Sequence, residues 1–216
     1  MAKKQTYAVL GLGRFGRSLA RELADNGAEV LGIDLDENIV NEVAETIPYC
    51  RCGNATDPEV LSRIGISNYD TVIISMAKHL EATVLAVMLC KEAGVPTVIV
   101  KCPDEMTAKI AKKIGADRTI IPEKESGIRL AKELVSGGIL DLLDLSGDVS
   151  VAELEIRPEW IGKSLQELNL RSKYQTNVIA VKSGNTVQTG IDPGRKLEAG
   201  ETLVVVANKD GIRKLR

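Results

Sequence analysis

Aromatic side chains make up 3% of this 216-residue chain, with one phenylalanine and one tryptophan, and there is a single histidine, His79. So few rings leave little with which to enclose a substrate, and one histidine leaves little for general acid–base work. No Ser-His-Asp, Cys-His or HExxH arrangement presents itself. No run approaches the roughly 18 to 20 apolar residues of a membrane-crossing helix; the longest, such as Thr71–Met76 and Thr97–Val100, are strand-length. Neither charge sign dominates: 28 Lys+Arg against 30 Asp+Glu give a net charge of −2, with no broad attraction to nucleic acid and no basic helix-turn-helix segment. A nucleic-acid partner is therefore not expected. The four cysteines (Cys50, Cys52, Cys90, Cys102) are expected to be reduced core thiols, and Cys50-Arg51-Cys52 lacks the spacing of a structural zinc site. The amino terminus runs into a strand without an apolar leader, so a cytoplasmic protein is expected.

What is present is an alternation. Short β-rich runs (Tyr7–Leu10, Glu29–Ile33, Tyr49–Arg51, Thr71–Ser75, Thr97–Val100, Thr119–Ile121) are separated by amphipathic stretches, which predicts βαβ units and a parallel sheet. Helices are predicted over Phe15–Asn26, Asp36–Thr46, Glu59–Ile64 with Asp57-Pro58 as cap and first position, and His79–Ala93. A longer helical segment, Glu123–Ser136, follows Pro122. Gly137-Gly138 then reads as a boundary. The apolar cluster Ile139–Leu145 has apolar residues on more than one face, so it is expected to be a helix covered by a partner subunit or tucked against its own domain. From Val149 the pattern changes to strands at Ser150–Ile156, Val178–Val181 and Leu203–Ala207, with a short helix near Leu165–Leu168 and another after Asn208. The expected division is 1–138, a linker or dimerisation helix at 139–148, and a small α+β lobe at 149–216.

Residues 7–16, YAVLGLGRFG, carry the chemistry. A bare GxGxxG is common, but Gly11-Leu12-Gly13-Arg14-Phe15-Gly16 follows a predicted strand and opens a predicted helix inside one βαβ unit. Gly11 permits the tight turn, Gly13 lets backbone approach phosphates, and Gly16 lets helix pack on strand; the phosphates then meet the helix's free amides and positive end. Asp34 ends the second strand 18 residues past Gly16, where a doubly wound, Rossmann-like six-stranded parallel sheet places the acceptor for ribose hydroxyls. A 2′-phosphate would meet a like charge there, so NADP is disfavoured. Arg14 either complements a more highly charged phosphate tail or is a solvated surface arginine. His79 lies beyond the fourth strand, at the sheet's ligand edge, and is read as a helix-start polar residue. A nucleotide site without an evident reaction points toward sensing.

These residues resemble the RCK (regulator of conductance of potassium) family, the cytosolic nucleotide-binding subunits of Ktr/Trk-type potassium uptake systems. The resemblance rests on Tyr7–Gly16, on Gly53-Asn54-Ala55-Thr56-Asp57, on Lys113–Arg118 with Ile121–Lys124, and on Gly162–Leu165 with Leu168–Arg171, and it covers essentially the whole chain. Asn54 stands where an aspartate is common. The resemblance implies a carboxyl-terminal RCK lobe, no catalysis, and ATP, ADP or NAD(H) as ligand. It assigns phosphates to Gly11, Gly13 and Gly16, ribose to Asp34, the terminal phosphate of a neighbouring subunit's nucleotide to Arg14, adenine to Asn54 and Ala55, and phosphates to Lys101. Phe15, Leu35, Thr56 and Ser75 complete the nucleotide set. Glu123 matches a position where some members bind Mg2+, Ca2+ or Na+ at the dimer interface, and Arg171 and Asn177 lie where some bind cyclic di-AMP. The implied assembly is a homodimer built into an octameric ring beneath a membrane-embedded potassium channel or transporter, at the inner face of the cell membrane. The competing reading is a small NAD-dependent oxidoreductase or NAD(H) redox sensor that uses His79.

Overall fold

The computed structural model describes residues 5–47, 49–76, 79–135, 139–146, 148–184 and 186–215. It divides into two compact units, Met1–Lys124 and Glu125–Arg216. In the first, the chain alternates β1 (Thr6–Leu10), α1 (Arg14–Asp25), β2 (Glu29–Asp34), α2 (Glu37–Ala44), β3 (Tyr49–Cys52), α3 (Pro58–Arg63), β4 (Thr71–Ile74), α4 (Leu80–Glu92), β5 (Thr97–Lys101), α5 (Glu105–Lys113) and β6 (Arg118–Ile120). The six strands pair in parallel in the order β3-β2-β1-β4-β5-β6. The order reverses between β1 and β4, so a crevice opens at their carboxyl ends.

Period-2 alternation gives this sheet two cores. Ala8 and Leu10 of β1 lie in register with Val72 and Ile74 of β4 and share one buried cluster, whereas Val9 and its partner Ile73 belong to the other. Asp36, Asp57 and Asp104 begin α2, α3 and α5 by accepting amides from Asn38, Glu59 and Thr107 at 2.9, 2.8 and 2.7 Å. Helix α5 was not among the helices expected from sequence; its Asp104 cap was the available signal.

Helix α6 (Pro122–Val135) carries the chain across the division between Lys124 and Glu125. The second unit adds β7 (Ile139–Ser146), β8 (Val149–Glu155), α7 (Leu165–Leu168), α8 (Leu170–Tyr174), β9 (Thr176–Ser183), β10 (Thr186–Gln188), β11 (Glu201–Asn208) and α9 (Lys209–Lys214). Its antiparallel sheet has the order β10-β9-β11-β8-β7, and Trp160, Leu168, Leu170, Leu203, Val205 and Ile212 are buried in its core. The α+β lobe expected from sequence is therefore present.

One expectation is overturned. The 139–148 segment is not a linker or dimerisation helix: Ile139–Ser146 is a strand, the edge of this sheet, with Leu142 opposite Ala152 and Leu143 opposite Val151. At the end of this pairing Ser146 lies opposite Val149. Antiparallel pairing with β8 satisfies the inward-facing amides of this edge strand, and that long-range pairing decides an apolar pattern too short to tell helix from strand. The proposed Gly137-Gly138 boundary lies outside the described residues. No helix among those residues is long and apolar enough to cross a membrane.

Candidate nucleotide site

The glycine loop leaves β1 at Leu10 and enters α1 within three residues. Gly11 has φ +96, a left-handed conformation that side chains resist, and donates its amide to the Ile33 carbonyl at 2.8 Å. A Cβ on Gly16 would stand 2.0 Å from the Gly11 oxygen, so only glycine lets the helix start so close to the turn. Gly13 differs: it caps α1 with ordinary extended backbone, and a Cβ there would meet nothing within 4 Å. The chain itself makes no demand for glycine at this position, and the open space leaves room for a phosphate to approach the backbone.

Helix α1 is built to receive an anion. No side chain among the described residues caps it, and Arg14-Phe15-Gly16-Arg17 puts no acid in its first turn. Its first amides and positive end therefore face the crevice, and Arg14, exposed in that turn, adds a full charge. A phosphate fits this donor set.

Asp34, half-buried at the end of β2, does more than its spacing predicted. Its Oδ2 accepts the Leu12 amide at 2.6 Å and its Oδ1 the Asp36 amide at 3.0 Å, tying the glycine loop to the second strand. Each carboxylate oxygen keeps a lone pair for a ribose hydroxyl. Leu12 is anchored from below as well, because a Cβ on Gly32 would lie 3.1 Å from both Leu12 methyls. That tight fit around a mid-strand glycine went unread in the sequence.

Next to the carboxylate, Leu35 is 68% exposed and offers an apolar surface. Asn54 is exposed, and its Oδ1 accepts both the amide and hydroxyl of Thr56, at 3.0 and 2.7 Å, so its acceptor folds its own loop. Ala55 is 4% exposed and packed in the core, so it borders the site through its backbone. Ser75 donates its amide to Leu10 at 2.7 Å, and its hydroxyl lies beside Gly16. On the far side Lys101, at the end of β5, donates to Glu123 Oε1 at 2.7 Å and passes 5.8 Å from the Phe15 ring centroid. That ion pair, then the Glu123 backbone amide and, at longer range, Arg14, hold the Glu123 carboxyl below the usual carboxylate range.

The structure thus gathers Gly11, Gly13, Arg14, Phe15, Gly16, Asp34, Leu35, Asn54, Ala55, Thr56, Ser75, Lys101 and Glu123 at one edge of the six-stranded sheet. Arg171 and Asn177 are exposed positions of the second unit, on α8 and β9. Among the residues searched no group of three or more His, Cys, Asp and Glu is arranged to hold a metal, and Glu123 is engaged by a lysine instead. His79 precedes α4, exposed, without capping it through its side chain. Three thiols are buried as expected, with Cys90 pushed up to about 12 by burial, whereas Cys52 is exposed and corrects the reading of all four as core thiols.

The TrkA-N domain family matches residues 7–122 and the TrkA-C domain family residues 151–216. Ktr system potassium uptake protein C of Bacillus subtilis (strain 168) is 35% identical over 211 residues, spanning 98% of this chain and 96% of its own length. The chain belongs to the TrkA-N/TrkA-C family. Ktr system potassium uptake protein A of Vibrio alginolyticus is 34% identical over 204 residues, 94% of this chain and 93% of its own. The crystal structure of the GsuK RCK domain superposes with a TM-score of 0.71 at 17% identity, covering 99% of this chain and 47% of that one, and the GsuK channel bound to NAD does so at 0.67 and 16%. At such identity these structures support the TrkA-N/TrkA-C fold alone.

Proposed function

We propose that the protein is a non-catalytic, nucleotide-binding regulatory subunit of a Ktr/Trk-type potassium uptake system. The observation that carries this is the open Gly13 at an uncapped α1, facing Asp34, in a chain 35% identical over nearly full length to a Ktr potassium uptake protein. The ligand is ATP, ADP or NAD(H): phosphates at the glycine loop, Arg14 and Lys101, ribose at Asp34, and adenine against Leu35 and the Asn54–Thr56 turn. Such a ligand acts by binding one conformation of the assembly more tightly than another.

The assembly is a homodimer built into an octameric ring on the cytoplasmic face of a membrane-embedded potassium channel or transporter. Arg171 and Asn177 stand as the contacts for cyclic di-AMP in the second unit, and a cation at Glu123 would have to displace Lys101. Native mass spectrometry of the purified protein, with calorimetric titration of ATP, ADP and NADH, tests the reading. A ring that carries or takes up one of these nucleotides supports it, and a monomer that binds none of them refutes it.

A further inference from the structure

Among the described residues two non-glycine positions have positive φ, Asn169 at +48 and Gln175 at +53, and they stand at the two ends of α8. Asparagine enters the left-handed region readily, and Asn169 ends α7 there with its amide on the Leu165 carbonyl at 3.0 Å. Glutamine enters it at a cost, so the carboxyl-terminal end of α8 needs a support from outside the helix. Helix α9 supplies it. Gln175 Oε1 accepts the Asn208 side-chain amide at 3.2 Å, and Asn208 Oδ1 accepts the Gly211 amide at 2.7 Å as the cap of α9. Gly211 is buried against the end of α8: a Cβ there would stand 2.4 Å from the Tyr174 carbonyl oxygen. Glycine inside a helix weakens it relative to alanine, and this close approach gives the reason for one here. Helix α9 is itself fixed, because Ile212 and Leu215 are buried in the core of the second unit.

Arg171 is exposed on α8 and Asn177 follows Gln175 by two residues, so both stand on the segment that α9 supports. We infer that Gly211 and Gln175 are positioning residues for an anion bound at Arg171: α9 fixes the end of α8 and thereby the place of the guanidinium. A guanidinium meets a phosphate through paired hydrogen bonds of fixed geometry, so a displaced α8 loses affinity even though the charge remains. The inference rests on the proposal that Arg171 and Asn177 contact cyclic di-AMP, and it adds α9, a helix outside that contact set.

Hydrogen–deuterium exchange over residues 170–177 and calorimetric titration of cyclic di-AMP test this with the wild-type chain, Gly211→Ala and Gln175→Ala. Gly211→Ala should speed exchange there about fivefold or more and weaken cyclic di-AMP about three- to tenfold. Gln175→Ala should do both to a smaller extent, and it carries the test should Gly211→Ala not fold. On an Arg171→Lys background, where a flexible ammonium depends less on placement, Gly211→Ala should cost less than about twofold. Leu154→Val is the control for lowered stability alone: Leu154 is buried near the end of β8 remote from Val149, the partner of Asn208. It should lower the unfolding temperature and leave both readouts unchanged. Unchanged exchange in Gly211→Ala and Gln175→Ala overturns the inference, as does faster exchange with unchanged affinity. Equal weakening on the arginine and lysine backgrounds overturns it, because α9 would then act by a route other than Arg171. The same changes in Leu154→Val also overturn it, as a general loosening of the second unit. A wild-type chain that takes up no cyclic di-AMP removes the proposed ligand and the positioning role with it, a failure visible before any variant is made.

Discussion

Asp34 carries two loads at once. One carboxylate oxygen holds the Leu12 amide of the glycine loop at 2.6 Å, and both keep acceptor capacity toward the crevice. Replacing it by alanine removes the proposed ribose acceptor and the loop's tether together. Hydrogen bonds to a charged group are worth about 1.5–3 kcal/mol, so Asp34→Ala should weaken ADP, ATP and NADH alike by roughly tenfold or more. Asp34→Asn, which keeps an acceptor for Leu12, should lose less. Calorimetry with the three nucleotides checks this, and one nucleotide left unaffected would refute a shared ribose contact. The position of Asp34 at the end of the second strand was legible from the 18-residue spacing. The tether was not, because a strand-end carboxylate and a loop 22 residues earlier become neighbours only when β1 and β2 pair.

At the scale of the element, the glycines that open α1 separate into two kinds. A methyl on Gly16 would be driven into the Gly11 carbonyl at 2.0 Å, so Gly16→Ala should lower stability by about 1–3 kcal/mol or more. A methyl on Gly13 has open space on the protein side, so Gly13→Ala should cost less than about 1 kcal/mol of stability while lowering ADP affinity. Thermal unfolding and titration of the two variants test the contrast; equal losses of stability would refute it. The short helix α7 is held by a capping box, with Ser164 accepting the Glu167 amide at 3.2 Å and Glu167 accepting the Ser164 amide at 2.7 Å. Ser164→Ala should cost about 1 kcal/mol of folding stability, read from the denaturation midpoint. Elements with a clear period or a cap were legible in the sequence: α1 to α4, the six parallel strands, and α7. Helix α5 went unread beside its Asp104 cap. Strand β7 was misread because Ile-Leu-Asp-Leu-Leu-Asp-Leu satisfies neither period well, so its partner β8 decides the conformation.

Over the whole molecule, two properties follow from side chains set in both units. Several carboxyls are held below their ordinary range: Asp117 in the first unit by the Val98 amide and Lys91 in spite of burial, and Glu153 and Glu201 in the second by Lys182 and Arg195 respectively. A lowered value in the folded chain means stability that is present above the unfolded carboxylate range, about pH 4, and is lost as pH falls through the lower folded values. Unfolding temperature should therefore drop steadily below about pH 4. A profile flat down to pH 3 would contradict these ion pairs. The homo-oligomer proposed above calls for an apolar contact surface, and β7 does not supply the helix expected for it. Leu130 and Leu134, one turn apart on α6, are 53% and 75% exposed. The double variant Leu130→Lys, Leu134→Lys should shift the native mass to smaller species with little change in unfolding temperature, and an unchanged mass would remove α6 from the interface.

The sequence by itself determined the alternating parallel sheet, the glycine loop at its head and the carboxylate at the end of the second strand, because these depend on local periodicity and on spacing within one βαβ unit. Only the tertiary structure decided that Ile139–Ser146 is a strand, that Asp34 braces the loop it serves, and that Lys101 faces Glu123. Each of those is set by groups distant in sequence, and pairing and charge act through space once the chain has brought them together.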